Sequence, residues 1–144
     1  MAGIKSTWTA KRLVVFRKGN EMIEARYRLK FYINAYHFIR WQGHDGAVHP
    51  HTWEIVSDFS CLTDEEVPFT DYEKKIGTFL GQYDGQVLND VPPFDKINPT
   101  VENFATEIFQ RLRVHPELIG AHVMLEKLEV SEGPTRSYIL MNID

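Results

Sequence analysis

From Ile23 to Ala35 every odd-numbered residue is apolar, and the next odd position is His37. Arg26, Arg28 and Lys30 alternate with Tyr27, Leu29 and Phe31. A period of two sustained over residues 23–37 excludes a helix and prescribes a long strand with one buried face. Ahead of it, residues 8–17 hold the apolar run Leu13, Val14, Val15 and Phe16, and Lys18, Gly19 and Asn20 signal a turn. The two runs around that turn predict a β-hairpin, with residues 1–25 as an N-terminal strand extension.

A half-buried strand of that length needs further strands and a covering layer. Residues 48–62 read as a second long strand, with Trp53 and Ile55 on the parity of His49 and His51. Residues 40–47, containing Gly43, Asp45 and Gly46, read as a loop. Near Thr70 the period changes: Tyr72, Ile76, Phe79 and Leu80 recur at helical spacing, with Asp71 and Glu73 in the first turn and an end near Gly81. Residues 82–99 carry no clear period. Thr100, after Pro99, has the character of an N-cap, and Val101, Phe104, Ile108 and Leu112 predict a helix to about Val114, closed by Pro116. Residues 121–130 and 136–143 read as strands around a Gly133-Pro134 turn. The order is three strands, two helices and two strands. With no repeat or linker in 144 residues, this predicts one α+β domain spanning the chain.

Composition removes several classes. With 43% hydrophobic and 25% charged residues the chain has the make-up of a folded domain. No apolar run approaches the ~20 residues of a membrane span, and the first residues lack a signal-peptide stretch. The lone Cys61 forbids an internal disulfide, points to a reducing, cytoplasmic setting, and reads as a core thiol. The net charge of −4 is uneven: residues 1–40 carry nine Lys/Arg and two acids, residues 41–104 three and twelve. The basic face with Arg26, Arg28 and Lys30 is either a solvated strand face or a guide for a phosphorylated substrate. The acidic remainder argues against a nucleic-acid binder.

Four of the six histidines, His37, His44, His49 and His51, fall within residues 37–51. His49 and His51 are i and i+2 on a predicted strand, so both imidazoles project from one face. If that strand pairs with the preceding one, His37 adds a third nitrogen. Three neutral imidazoles with one open position form the arrangement of catalytic zinc, although iron, nickel and copper also accept imidazole. The competing reading is that these are surface or hydrogen-bonded core histidines. His44 is either a fourth ligand or a proton-transfer group, and His115 and His122 read as structural.

Taken in order, five patches resemble the 6-pyruvoyl-tetrahydropterin synthase and 6-carboxy-tetrahydropterin synthase family, over about residues 29–141. Phe31 to His37 resembles its first strand ending in a metal histidine, and His49, His51 and Trp53 resemble its His-Gly-His pair. Val67 to Tyr72 is similar to the entry of its first helix. Tyr83 to Asp90, followed by Asn98 to Asn103, resembles its loop and second-helix start. Leu128, Glu129 and Val130 are similar to the strand with its pterin-anchoring glutamate. The resemblance implies a tunnelling fold: an antiparallel sheet with two helices on one face, assembled as homo-oligomeric trimers or hexamers with sites between subunits. It implies zinc on His37, His49 and His51, a pterin held by Glu129, and Thr100 and Glu102 near that pocket.

The chain also departs from the family pattern. The thiol that family enzymes place four residues before the first histidine of the pair is Asp45 here, and their Asp-His relay is Asp84-Gly85. Asp45 either replaces the thiol in proton transfer or is a turn residue before Gly46. Asp84 and His44 are the lesser candidates. The expected activity is that of a zinc-dependent lyase on the side chain of a dihydropterin. The alternatives are a metal- and pterin-binding oligomer without turnover, and a metal hydrolase of another heterocyclic substrate.

Overall fold

The computed structural model describes residues 15–18, 21–61, 67–114 and 122–143. Strands β1 (Val15–Lys18) and β2 (Glu21–Glu24) pair antiparallel as a separate ribbon. The ribbon corresponds to the part of the expected hairpin nearest its turn, with Lys18 inside the first strand rather than in the turn. The predicted strand start at 8–14, the turn at 19–20 and His115 lie outside the described residues. The alternating run does not continue unbroken from Ile23: residues 25 and 26 separate β2 from β3 (Tyr27–His37).

Four strands form the main sheet in the order β3, β6, β7, β8, all antiparallel. Here β6 is His49–Cys61, β7 is Val123–Gly133 and β8 is Arg136–Met141. Two helices follow β6 in sequence: α1 (Phe69–Gly81) and α2 (Val101–Val114). The loop expected at 40–47 contains a two-residue hairpin, β4 (Arg40–Trp41) with β5 (His44–Asp45). Gln42 and Gly43, with φ of 49° and 78°, take the left-handed conformations that a tight hairpin turn requires. A Cβ on Gly46 would lie 3.0 Å from the Ile39 carbonyl oxygen, and this close approach suits glycine.

One face of the sheet carries the core. Leu29, Ile33, Trp53, Ile55, Leu125, Leu128 and Val130 are buried with Ile76, Phe79 and Leu80 of α1 and Phe104, Ile108 and Leu112 of α2. Trp53, Phe104, Tyr83 and Phe94 meet edge to face or tilted, with ring centroids 5.0 to 6.4 Å apart. Thr100 caps α2 as expected, its Oγ1 accepting the Asn103 N–H at 3.1 Å, and Arg111 and Arg113 occupy the last turn, favourably for the helix dipole.

Two irregularities in β7 govern which side chains face the core. The β6–β7 register shifts between Asp58 and Phe59, leaving Glu126 as an extra residue between Leu125 and Lys127. A second shift falls between Ser131 and Gly133 against β8 and leaves Glu132 unpaired there. Each extra residue bends the strand and re-aims its neighbours. The basic face of β3 lies away from the core. Arg28 is bound to Asp58 by two bonds of 2.7 and 3.0 Å, and Arg26 pairs with Glu24 at 2.9 Å. No helix among the described residues is long and apolar enough to cross a membrane.

Candidate metal centre

The register of β3 against β6 sets His37 opposite His49 and Ala35 opposite His51. All three histidines therefore share the core face at one end of the sheet. Their ring centroids are 4.5 Å (His37–His49), 4.9 Å (His37–His51) and 4.9 Å (His49–His51) apart. Each offers a ring nitrogen within 4.8 Å of the others. Trp53, fully buried, forms the floor 5.2 Å from the His37 ring, its Nε1–H donated to the Ala35 carbonyl.

Hydrogen bonding selects the tautomers. A carbonyl only accepts, so His37 Nδ1, 2.7 Å from the Pro99 oxygen, carries the proton, as does His49 Nδ1, 2.9 Å from the Ala47 oxygen. The Nε2 lone pair of each is left for a ligand. Burial, the largest influence, pushes the His37 pKa below the usual histidine value. The Pro99 bond opposes this, His49 and His51 add to it, and Glu132 opposes it more weakly. The ring is therefore neutral near pH 7, the form that donates to a metal. Donor chemistry, convergence and protonation all fit a single divalent ion with three imidazole ligands.

Glu132 is the site residue that the sequence did not reveal. Its Oε2 is 3.8 Å from His37 Nε2 and 3.9 Å from His51 Nε2, and its Oε1 is 3.5 Å from Arg136. Glu129, expected to face the site, pairs with Val56 and lies on the opposite face, where it acts on Arg28. The extra residue at Glu126 causes the reversal: parity counted from Val123 and Leu125 puts Glu129 on the core face, and the bulge moves Leu128, Val130 and Glu132 there. The alternation of Leu128, Val130 and Glu132 was the available signal.

The structure does not place the remaining candidates in the histidine cluster. His44 and Asp45 are exposed on β5, on the segment joining His37 to His49. Asp84 Oδ1 accepts the Asn34 N–H at 2.8 Å, and with the bonds Gly85 N–H to Asn34 oxygen and Tyr36 N–H to Gln86 oxygen it closes the free edge of β3. Thr100 is occupied as the helix cap and Glu102 is exposed in the first turn of α2, both beside the Pro99 that holds His37. Gly85, at φ 75°, borders a groove of about 360 Å³ with Asn34, Tyr36, Pro50, His51 and Thr52.

An antiparallel sheet with two helices and three histidines converging at one end defines a tunnelling-fold protein with a histidine triad of the geometry that can hold a metal ion. The sequence model for 6-pyruvoyl tetrahydropterin synthase matches residues 26–142, and the chain belongs to that family. The fold is similar to that of 6-pyruvoyl tetrahydropterin synthase from Caenorhabditis elegans, with TM-score 0.65 and 16% identity over 82% of this chain and 95% of that one. It is similar to the Plasmodium falciparum synthase, with TM-score 0.60 and 15% identity over 82% and 97%. It also resembles a Plasmodium vivax synthase in which a catalytic glutamate is replaced by alanine, with TM-score 0.59 and 16% identity over 83% and 99%. No curated sequence matches the chain.

Proposed function

We propose that this protein is a zinc-dependent lyase acting on the side chain of a dihydropterin. The observation that carries the proposal is the meeting of His37, His49 and His51 with the Glu132 carboxylate on one face, in a chain of the synthase family. The three imidazoles would hold the ion. Lewis-acid polarisation of a hydroxyl or carbonyl on the side chain, acidifying the adjacent C–H, is the chemistry a bound ion would supply there. Glu132 takes the anchoring role first expected of Glu129, because a carboxylate facing two N–H donors of the pterin ring makes charge-assisted hydrogen bonds.

Asp45 is the proton-transfer group, and His44 beside it is the lesser candidate. The catalytic glutamate named for the Plasmodium vivax protein supports a carboxylate in this chemistry. Asp45 is exposed on the β4–β5 hairpin, where a substrate can reach its carboxylate. Asp84 holds β3 in place rather than moving a proton. A cytoplasmic location belongs to the same reading and is supported by the single, buried Cys61.

The test is metal analysis of the purified protein, followed by incubation with dihydroneopterin triphosphate and identification of the product. Stoichiometric zinc and loss or rearrangement of the side chain are expected. Absence of bound metal after reconstitution, or an unchanged substrate, overturns the reading. A second reading, a metal- and pterin-binding oligomer without turnover, is favoured by Gly85 at the relay position, where there is no side chain to pass a proton. Clear pterin binding with no product selects it.

A further inference from the structure

Beyond His37 the chain leaves the sheet, and its backbone polar groups need other partners. Two asparagine side chains provide them. Asn89 Oδ1 accepts the Phe38 N–H at 2.9 Å, and its Nδ2 donates to the Phe38 oxygen at 2.8 Å. Asn98 treats Arg40 in the same way, at 2.8 and 2.9 Å. A side-chain amide has the donor and acceptor of a peptide group, so each asparagine stands in for a residue of a neighbouring strand.

Asn98 makes further connections. Its own carbonyl accepts from Asn103 Nδ2 at 2.8 Å, which ties it to the first turn of α2. The next carbonyl, on buried Pro99, is the one that takes the His37 Nδ1 proton at 2.7 Å. Arg40, gripped by Asn98, opens the hairpin that carries Asp45, and Arg40 pairs with Asp45 across it. One amide thus joins a ligand histidine, the hairpin with the proposed proton-transfer group, and the start of a helix.

We propose that Asn98 is a positioning residue that holds the His37 ring in line with the metal and fixes the β4–β5 hairpin relative to it. The inference rests on the metal site proposed above. Without the clamp, the Pro99 carbonyl and the hairpin root move independently, and His37 Nε2 no longer converges with the other two nitrogens. Alanine removes both hydrogen bonds. Aspartate keeps the acceptor for the Arg40 N–H but sets an oxygen against the Arg40 carbonyl. The amide is the group that satisfies both.

The test uses the full chain, its Asn98→Ala and Asn98→Asp variants, and Ser57→Ala as a comparison. Ser57 Oγ donates to the Leu29 carbonyl at 2.9 Å in the middle of the same sheet, so its loss removes a buried hydrogen bond away from the histidines. Zinc affinity is measured by chelator competition, site geometry by the visible spectrum of the cobalt(II) form, and stability by thermal melting. Both Asn98 variants are expected to weaken zinc binding about 10-fold or more and to alter the cobalt spectrum, as loss of an outer hydrogen-bond partner does. Ser57→Ala is expected to melt lower and bind zinc as the unchanged protein does. Unchanged affinity and spectrum in a folded Asn98 variant overturn the proposal, as does an equal loss in Ser57→Ala. If Asn98→Ala does not fold, Asn98→Asp decides, and failure of both makes Asn98 a residue of the fold alone. If the unchanged protein binds neither zinc nor cobalt, the metal site itself is wrong. Normal binding by every protein removes only the role of Asn98.

Discussion

The Glu132 carboxylate lies 3.8 Å from Nε2 of His37, although the two residues are 95 positions apart in the chain (132 less 37). The extra residue at Glu126 puts Glu132 on the face of Leu128 and Val130, at the end of the sheet where the histidines converge. Glu132→Gln is therefore expected to weaken pterin binding about 10- to 100-fold, the range for losing a charged hydrogen-bond partner. Glu129→Gln, on the opposite face, is expected to leave binding unchanged. Titration calorimetry with a reduced pterin on the metal-loaded protein distinguishes them, and the reverse ranking refutes the assignment of Glu132.

Metal removal tests the triad directly. An ion bound by the folded chain alone stabilises it by about 2.7 kcal/mol at a hundredfold excess over Kd. A chelator is thus expected to lower the Tm by several degrees, and added zinc to restore it. His49→Ala is expected to abolish stoichiometric metal and with it the chelator's effect. A chelator-sensitive Tm in His49→Ala would remove His49 from the ligand set.

Asp45 and Asp84 are separable by the same conservative change. Asp45→Asn removes the proposed base and is expected to slow turnover of a dihydropterin by a factor of about 100 or more while ligand binding persists, the usual scale of general acid–base catalysis. Asp84→Asn keeps an oxygen for the Asn34 N–H and is expected to have turnover and Tm close to the unchanged protein. Equal activity of Asp45→Asn would leave Asp45 as a turn residue ahead of Gly46.

The elements that a repeating pattern marks were legible from residues alone. The alternation through Leu29, Ile33 and Ala35, the helical stripe of Phe104, Ile108 and Leu112, and the Thr100 cap all correspond to what the fold contains. His37, His49 and His51 emerged from the same rule, because strand parity and one register bring them together. The two-residue strands β4 and β5 are too short to have a period. The bulges at Glu126 and Glu132 are set by pairing with other strands, and the resemblance that pointed to Glu129 carried no sign of them. The Asn89 and Asn98 clamps act on residues 51 and 58 positions away, and local sequence does not register them. Whether Arg28 was a solvated cation or a guide for a phosphate stayed open in the sequence, because its partner Asp58 is 30 residues distant.

That Arg28–Asp58 pair gives the acid response of the fold. The Asp58 side chain is 9% exposed and that of Arg28 54%. Hydrogen bonding from the guanidinium, the largest influence, holds the Asp58 carboxyl below its ordinary value of 3.8. Burial opposes this, and the charges of Arg28, Lys127 and Arg26 support it. The folded state thus favours the ionised carboxylate more than the unfolded chain does. Its contribution to stability is fully present above the unfolded pKa and is lost as pH falls through the lower folded value. Asp58→Asn is expected to melt below the unchanged protein by a constant interval from pH 8 to pH 5, and the interval should shrink below about pH 4. Thermal melts across that range check the sign: an interval that widens on acidification would mean that Asp58 is not held ionised by Arg28.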